Sequence, residues 1–190
     1  MTPHFYNVNI SWSQDRKGMM CSPELNLKTN NDCGCIEVAT PPEFPKGIAG
    51  IWSPEHLYTA AISSCLMTTF LAIAENFKLD FLSFHCQAKG KLDKVDGKFL
   101  MTEVFLEPKI EIANEADREK AEKVLLKSEA ACLISNSVKS VIIMNPVIEV
   151  KASALDLGNP FQINTQHGNA KSPDANTPVH RILAQFAFDP

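Results

Sequence analysis

The strongest constraint on this fold is an uncharged run of 18 residues, 57–74, which reads LYTAAISSCLMTTFLAIA. That length is at the lower limit for a transmembrane helix. The run contains five serine and threonine residues, and neither a basic cluster nor an aromatic girdle flanks it. Because a helix that is apolar nearly all round can equally form the centre of a soluble domain, we predict a buried core helix.

Sequence signals for helix starts place two helices in the chain. Ser53 suits an N-cap, Pro54 the first helical position and Glu55 the first turn, so the first helix is predicted to begin there. The second is predicted to open near Asn114, and a short further helix is predicted at Ser135-Asn136-Ser137. The apolar face of the second helix has helical spacing and comprises Ala121, Val124, Leu125, Ser128 and Ala131.

Alternation of apolar and polar residues predicts the strands. Three precede the first helix, at residues 6–12, 25–27 and 36–38. Residues 84–93 and 100–112 form a predicted hairpin whose turn contains Asp96-Gly97, and a last strand over 141–150 is interrupted at Asn145-Pro146. Strands and helices in groups predict an α+β domain over residues 1–150, with antiparallel sheets around the buried central helix. Residues 151–190 are predicted to be a polar linker with an apolar docking segment at 179–188.

Charge and the N-terminal residues restrict the class of protein. Lysine and arginine number 18 against 22 acidic residues, for a net charge of −4. No basic block stands out, so we expect neither a nucleic-acid groove nor an anionic membrane patch. The N-terminus lacks the basic stretch and apolar run of a signal peptide, so we expect a cytoplasmic protein with reduced thiols.

Six cysteines pose the main question about function, because free cysteines in such a chain are inert packing residues, metal ligands or redox groups. Cys65 lies inside the predicted core helix, and Cys132 lies near the end of the second helix. Cys33 and Cys35 could form a redox or metal site, although two ligands do not complete a zinc site. Cys86 is predicted to be a core residue. Cys21 has no partner motif, and we expect it to pack as a small hydrophobe.

Two cysteine motifs resemble those of the OsmC/Ohr family. The first is Ser53-Pro-Glu-His-Leu57 followed by Ala60-Ala61 and Cys65, with Cys65 ten residues after Glu55. The second is Cys132-x-x-Ser135-Asn136, which lies 67 residues downstream of Cys65. The order of predicted strands and helices over about residues 5–150 is also similar to that family.

The resemblance implies thiol-dependent reduction of organic hydroperoxides. Cys65 matches the peroxidatic cysteine, and Cys132 matches the resolving cysteine that would form a disulfide with it. Glu55 matches the glutamate that holds an arginine over the reactive thiolate; Arg16 is the candidate arginine, with Lys17 as a weaker substitute. The resemblance further implies an intertwined homodimer with the OsmC-like fold, a dithiol reductant and no cofactor or metal.

One departure from the family pattern leaves a second function open. Hydroperoxide-specialised members often have proline after the second cysteine, whereas Leu133 follows Cys132 here. The alternative is a non-enzymatic module with the same fold that senses redox state or binds an apolar ligand. A metal site that uses Cys33 and Cys35 is a third alternative.

Overall fold

The structure is a computed structural model and describes residues 2–25 and 34–151. Cys33 and the predicted extension, apart from Lys151, therefore lie outside the described residues. Two helices and seven strands occupy the described part of the chain: β1 (Asn9–Gln14), β2 (Lys17–Cys21), β3 (Cys35–Ala39), α1 (Pro54–Asn76), β4 (Ser83–Val95), β5 (Lys98–Ile112), α2 (Arg118–Ala131), β6 (Val141–Met144) and β7 (Val147–Val150).

The strands form two sheets, which confirms the predicted α+β class. One sheet has the order β1-β2-β3 with antiparallel pairing, and the other has the order β4-β5-β6. Strand β7 also pairs with β5, and that pairing is parallel, with Ile110 opposite Ile148. The second sheet therefore departs from the wholly antiparallel arrangement that we predicted.

The described residues divide into two compact units. The first takes in the described residues up to Ser63 together with Ala88–Phe105 and Lys139–Ile143, and it contains the three-stranded sheet. The second takes in Ser64–Gln87, Leu106–Val138 and the described residues from Met144 onwards. The boundary falls within α1, β4, β5 and β6, so neither unit is a continuous stretch of sequence.

The predicted second strand is wrong at Leu25, and its other two residues, 26 and 27, lie outside the described part of the chain. Leu25 belongs to a short 3₁₀ turn, Pro23–Leu25, and the strand is Lys17–Cys21 instead. Apolar and polar residues do not alternate in the β2 sequence KGMMC. Its extended conformation therefore depends on pairing with β1 on one side and β3 on the other. Gly18 permits this pairing, because a β-carbon there would lie 2.7 Å from the carbonyl oxygen of Ser11.

The hairpin and the start of α1 agree with the sequence. Asp96 and Gly97 both have positive φ, 50° and 80°, as a two-residue hairpin turn between β4 and β5 requires. The Ser53 hydroxyl accepts a hydrogen bond from the His56 amide at 3.4 Å, as expected of an N-cap that satisfies an unpaired donor of the first turn.

Helix α1 buries one face rather than its whole circumference. Ile62, Leu66 and Phe70 are fully buried, whereas Met67 and Leu71 are 39% and 41% exposed. The prediction of a buried central helix therefore holds for one side only within a single chain. Length and composition alone would also let this helix cross a membrane, and it is the one helix in residues 2–25 and 34–151 of which that is true.

The core of the second unit lies between α1, α2 and β5. Eight buried side chains form it: Phe70, Ala74, Leu79, Ile110, Ile112, Ala121, Val124 and Leu125. The Phe70 ring packs against Phe81 and Phe84, with ring centroids 5.1 and 4.9 Å apart. The predicted apolar face of α2 is thus confirmed at Ala121, Val124 and Leu125, and this core fixes the rotation of α1 around its axis.

The structure corrects the interpretation of Cys21. Cys21 and Cys35 are directly opposed on β2 and β3, and their sulfurs form a disulfide. Cys21 is therefore not a packing residue without a partner, and Cys35 has no thiolate to offer a metal. The pairing escaped the sequence because it depends on the register of a strand whose pattern does not alternate.

Removing this disulfide is expected to lower the free energy of unfolding. The double variant Cys21→Ala/Cys35→Ala should lose about 3 kcal/mol, because the bond closes a loop with a sequence separation of 14 and so restricts the unfolded chain. Urea unfolding with and without a dithiol reductant measures the loss, and the reduced wild type should match the variant. Cys86→Ser, which leaves the bond intact, is the control. A double variant as stable as the oxidised wild type would contradict the prediction.

Candidate active site

Cys65 lies on α1 beside the buried face formed by Leu66 and Phe70, and its side chain is half-buried. The main-chain amide of Ile134 donates a hydrogen bond to its sulfur, with a nitrogen–sulfur distance of 3.5 Å. The Thr69 hydroxyl oxygen lies 4.0 Å from the same sulfur. Both groups can donate hydrogen bonds to a sulfur that becomes negatively charged.

Cys132 follows the last residue of α2 and is fully buried. Its carbonyl oxygen accepts the Asn136 amide at 3.0 Å, so the chain turns sharply into a short 3₁₀ helix, Ser135–Ser137. This confirms the short helix expected at these residues. The turn directs the Ile134 amide towards Cys65 and keeps the Cys132 side chain inside the second unit.

The two thiols influence one another. Burial raises the pKa of Cys132 above its usual value, the hydrogen bond with the Cys65 thiol raises it further, and Ser135 opposes both effects. Cys65 and Cys132 are also both free of disulfides. The structure thus brings together two reduced sulfurs that are 67 residues apart in the sequence, an arrangement that can act as a dithiol–disulfide couple.

Glu55 lies in the first turn of α1 with an incomplete hydrogen-bond complement. Its side-chain oxygen Oε2 is buried and has no hydrogen-bond partner among the described residues. A buried carboxylate is costly unless a donor or a cation meets it, so this oxygen marks a place where a positive group fits. The neighbouring His56 is already engaged, since its Nδ1 lies 2.8 Å from the Ser53 hydroxyl oxygen.

Arg16 does not meet Glu55 within one chain. It lies in the turn between β1 and β2, its side chain is exposed, and its carbonyl oxygen accepts the Thr40 amide at 3.1 Å. No salt bridge joins it to Glu55 in the described part of the chain. Lys17, the weaker candidate, forms an ion pair with Glu37 at 2.9 Å.

Two groups near the sulfurs were not assigned a role from the sequence. The Ile134 amide is a main-chain group, so no sequence motif identifies it. Ser135 is part of the Cys-x-x-Ser motif, so a signal for it was present, but nothing in the motif indicates that its hydroxyl oxygen is buried. No cluster of three or more histidine, cysteine or acidic residues suited to a metal occurs in residues 2–25 and 34–151.

Comparison with protein families agrees with the two cysteine motifs. The family described as OsmC-like protein matches residues 47–146, which is just over half of the chain and includes both Cys65 and Cys132. The chain belongs to the OsmC-like protein family.

Two curated relatives of this OsmC-like chain are similar in sequence. An uncharacterised protein of Methanocaldococcus jannaschii is 26% identical over 97 residues, which span 51% of this chain and 50% of the relative. The uncharacterised protein YmaD of Bacillus subtilis is 22% identical over 162 residues, which span 80% of this chain and 96% of YmaD. The chain thus matches about half the length of the archaeal relative and nearly all of the bacterial one.

Solved structures share the fold. An OsmC-like protein of unknown function from Vibrio cholerae has a TM-score of 0.65 and 22% identity, covering 76% of this chain and 100% of its own. An organic hydroperoxide resistance protein from Elizabethkingia anophelis has a TM-score of 0.61 and 20% identity, covering 79% and 99%. At these identities the likeness establishes the OsmC-like fold.

Proposed function

We propose that this OsmC-like protein is a thiol-dependent peroxidase that reduces organic hydroperoxides. The observation that carries the proposal is the Ile134 amide, which donates to the Cys65 sulfur at 3.5 Å from the turn that begins at Cys132. Organic hydroperoxides are the chosen substrate class because structural neighbours from Elizabethkingia anophelis and Bacillus subtilis are named organic hydroperoxide resistance proteins.

The first step oxidises Cys65. Its thiolate attacks the terminal oxygen of the hydroperoxide, the O–O bond breaks, and the alkoxide takes a proton and leaves as the alcohol. Cys65 is then a sulfenic acid. The Ile134 amide and the Thr69 hydroxyl stabilise the thiolate before the attack, because hydrogen bonds to a charged acceptor are the stronger ones.

The second step forms the Cys65–Cys132 disulfide. The Cys132 thiolate attacks the sulfenic sulfur, the S–O bond breaks, and hydroxide combines with the proton that Cys132 released to give water. A dithiol reductant then returns both cysteines to thiols by exchange and itself becomes a disulfide. Sulfur performs all of the redox chemistry, so no cofactor enters the cycle. We place this cycle in the cytoplasm, where dithiol reductants are abundant and where the Cys21–Cys35 disulfide is an exception to the expected reduced state of the thiols.

Glu55 and Arg16 complete the site if a second copy of the chain supplies one of them. Glu55 lies ten residues before Cys65 in the sequence, so we expect the carboxylate to act through a longer side chain rather than on the sulfur itself. An arginine can bind the unpartnered Glu55 oxygen and direct another N–H at the thiolate. We propose that Arg16, exposed on its hairpin turn, is that arginine.

We propose a homodimer because large apolar side chains are exposed among the described residues. Strand β1 and the residues before it expose Tyr6, Ile10 and Trp12 at 85%, 68% and 77%, and α1 exposes Met67 and Leu71. Large apolar side chains left exposed on a strand or a helix are typical of interfaces between subunits.

Light scattering is expected to give twice the chain mass of 21.0 kDa. The double variant Met67→Glu/Leu71→Glu should weaken association by about 100-fold or more, because it places unpaired charges in the interface. Leu126→Glu, on an exposed leucine of α2, is the matched control and should remain dimeric. A wild-type monomer at micromolar concentration would contradict the proposed assembly.

Consumption of cumene hydroperoxide in the presence of a dithiol tests the proposed activity. Steady consumption of cumene hydroperoxide at a higher rate than that of hydrogen peroxide would support an organic hydroperoxide reductase.

The second candidate function is a redox sensor. The raised pKa of Cys132 favours it, because a resolving thiol that stays protonated prolongs the lifetime of oxidised Cys65. Slow oxidation of Cys65 by one equivalent of hydroperoxide, without further turnover, would favour the sensor. Retention of an apolar ligand without oxidation of Cys65 would favour a binding protein.

A further inference from the structure

We propose that Ser137 is a positioning residue for the Cys65 thiolate. Its hydroxyl holds the carbonyl of the Leu133–Ile134 peptide group, so that the N–H of the same group points at the Cys65 sulfur. This inference rests on the proposed peroxidase function and deepens its first step, because it names the side chain that keeps the main-chain donor of the thiolate in place.

The Leu133–Ile134 peptide group forms hydrogen bonds through both of its polar atoms. The carbonyl oxygen of Leu133 accepts the Ser137 hydroxyl at 2.8 Å, and the amide of Ile134 donates to the Cys65 sulfur at 3.5 Å. The peptide bond is planar and trans, so its C=O and N–H point in opposite directions. Ser137 and Cys65 therefore bind opposite sides of one rigid group, and a rotation of that group would break both hydrogen bonds.

The peptide groups on either side are held by main-chain donors. The carbonyl oxygen of Cys132 accepts the Asn136 amide at 3.0 Å, and that of Ile134 accepts the Ser137 amide at 3.0 Å. The carbonyl between them, that of Leu133, accepts a side-chain hydroxyl. The orientation of the group that faces the sulfur thus depends on the type of residue at position 137, whereas its neighbours would keep their hydrogen bonds with any residue except proline.

The Ser137 hydrogen bond also strengthens the Ile134 donor. Hydrogen bonds in a chain polarise one another, so a peptide group whose carbonyl accepts a hydrogen bond has a better N–H donor. A neutral thiol is a weak acceptor, whereas a thiolate is a strong one. The stabilisation is therefore largest when Cys65 is ionised, which is the state that attacks the hydroperoxide.

The exposed position of Ser137 allows its role to be tested without disturbing the core. Ser137 and Leu133 are both exposed. Alanine at position 137 therefore leaves no cavity in a packed interior. Because water competes for an exposed carbonyl, we expect loss of the hydroxyl to weaken the support of the thiolate rather than abolish it.

Alkylation of Cys65 by iodoacetamide tests this role without requiring peroxidase activity. The reduced chain reacts over a range of pH, and mass spectrometry follows the peptide that contains Cys65. Ser137→Ala is expected to slow the reaction near neutral pH by about fivefold, the effect of one hydrogen bond of ordinary net strength. The rates of the variant and the wild type should converge at high pH, because Cys65 is then ionised in both proteins.

Two further variants separate positioning from folding. Asn136→Ala removes a hydrogen bond from the same turn, to the carbonyl oxygen of Ala130 at 2.9 Å, and should keep the wild-type rate because it leaves the Leu133–Ile134 group untouched. Ser137→Thr retains the hydroxyl and should restore most of the rate. Unchanged alkylation in Ser137→Ala, equal slowing at every pH, or equal slowing in Asn136→Ala would overturn the proposal.

The same variants treated with hydroperoxide separate the role of Ser137 from the proposed function. One equivalent of cumene hydroperoxide is mixed with each reduced protein, and dimedone trapping with mass spectrometry follows the oxidation of Cys65. Its rate should fall in Ser137→Ala by the same factor as alkylation. If no variant is oxidised while alkylation is slowed as predicted, the peroxidase function is refuted and the positioning role of Ser137 is supported.

Discussion

Serine in place of Cys65 is expected to lower hydroperoxide turnover by at least about 1,000-fold, to the background of the reductant alone. The substitution changes one atom and preserves the packing of α1, but a serine hydroxyl is not ionised near neutral pH and does not attack the O–O bond. Initial rates of cumene hydroperoxide consumption with a dithiol, compared at equal protein concentration, measure the effect.

Cys86→Ser is the matched control for this experiment. Cys86 is also a free, half-buried cysteine, but its sulfur donates to the carbonyl oxygen of Gln87 at 3.7 Å, and no contact links it to Cys65 or Cys132. Burial raises the pKa of Cys86, which makes its thiolate scarce at pH 7. Turnover should therefore survive its removal. Full turnover by Cys65→Ser would show that this cysteine is not the nucleophile.

The Cys132→Ser variant is expected to reduce one equivalent of hydroperoxide per chain without forming a disulfide. The wild type should lose two thiols per equivalent, because both sulfurs enter the disulfide. The variant should lose one thiol and retain a sulfenic acid that dimedone labels, since the sulfur that would displace its oxygen is absent. Thiol titration and intact-mass measurement in the absence of reductant distinguish these outcomes.

This experiment is performed without reductant, because a small dithiol can attack the sulfenic acid directly and mask the loss of Cys132. The wild type treated in the same way is the control. Loss of two thiols from Cys132→Ser would mean that another cysteine resolves Cys65. No loss in the wild type would mean that the two thiols do not form a redox couple with hydroperoxides.

The sequence was most informative where local chemistry determines structure. Ser53 and Pro54 predicted the start of α1, and Asp96-Gly97 predicted the hairpin, because caps and turns depend on a few neighbouring residues. Strand β2 was missed because its conformation depends on pairing with β1 and β3 rather than on an alternating sequence pattern. The Cys21–Cys35 disulfide was missed for the same reason, since it follows from the register of that strand.

The candidate site was predictable as a set of residues but not as a geometry. The motifs selected Cys65, Cys132 and Glu55, yet only the fold brings the turn after α2, which begins at Cys132, against Cys65 on α1. The unpartnered Glu55 oxygen and the buried Ser135 hydroxyl could not be predicted either, because burial of a single polar atom depends on tertiary packing. Arg16 as the partner of Glu55 stays a prediction, which a dimer structure would test.

Disulfide mapping after a single oxidation tests the central claim most directly. The reduced wild type is treated with one equivalent of cumene hydroperoxide, the remaining thiols are alkylated, and the peptides are identified by mass spectrometry. We predict a new crosslink between the peptides that contain Cys65 and Cys132, with Cys86 alkylated. Cys65 recovered as an alkylated thiol, or as an over-oxidised acid beside an alkylated Cys132, would contradict the proposed mechanism.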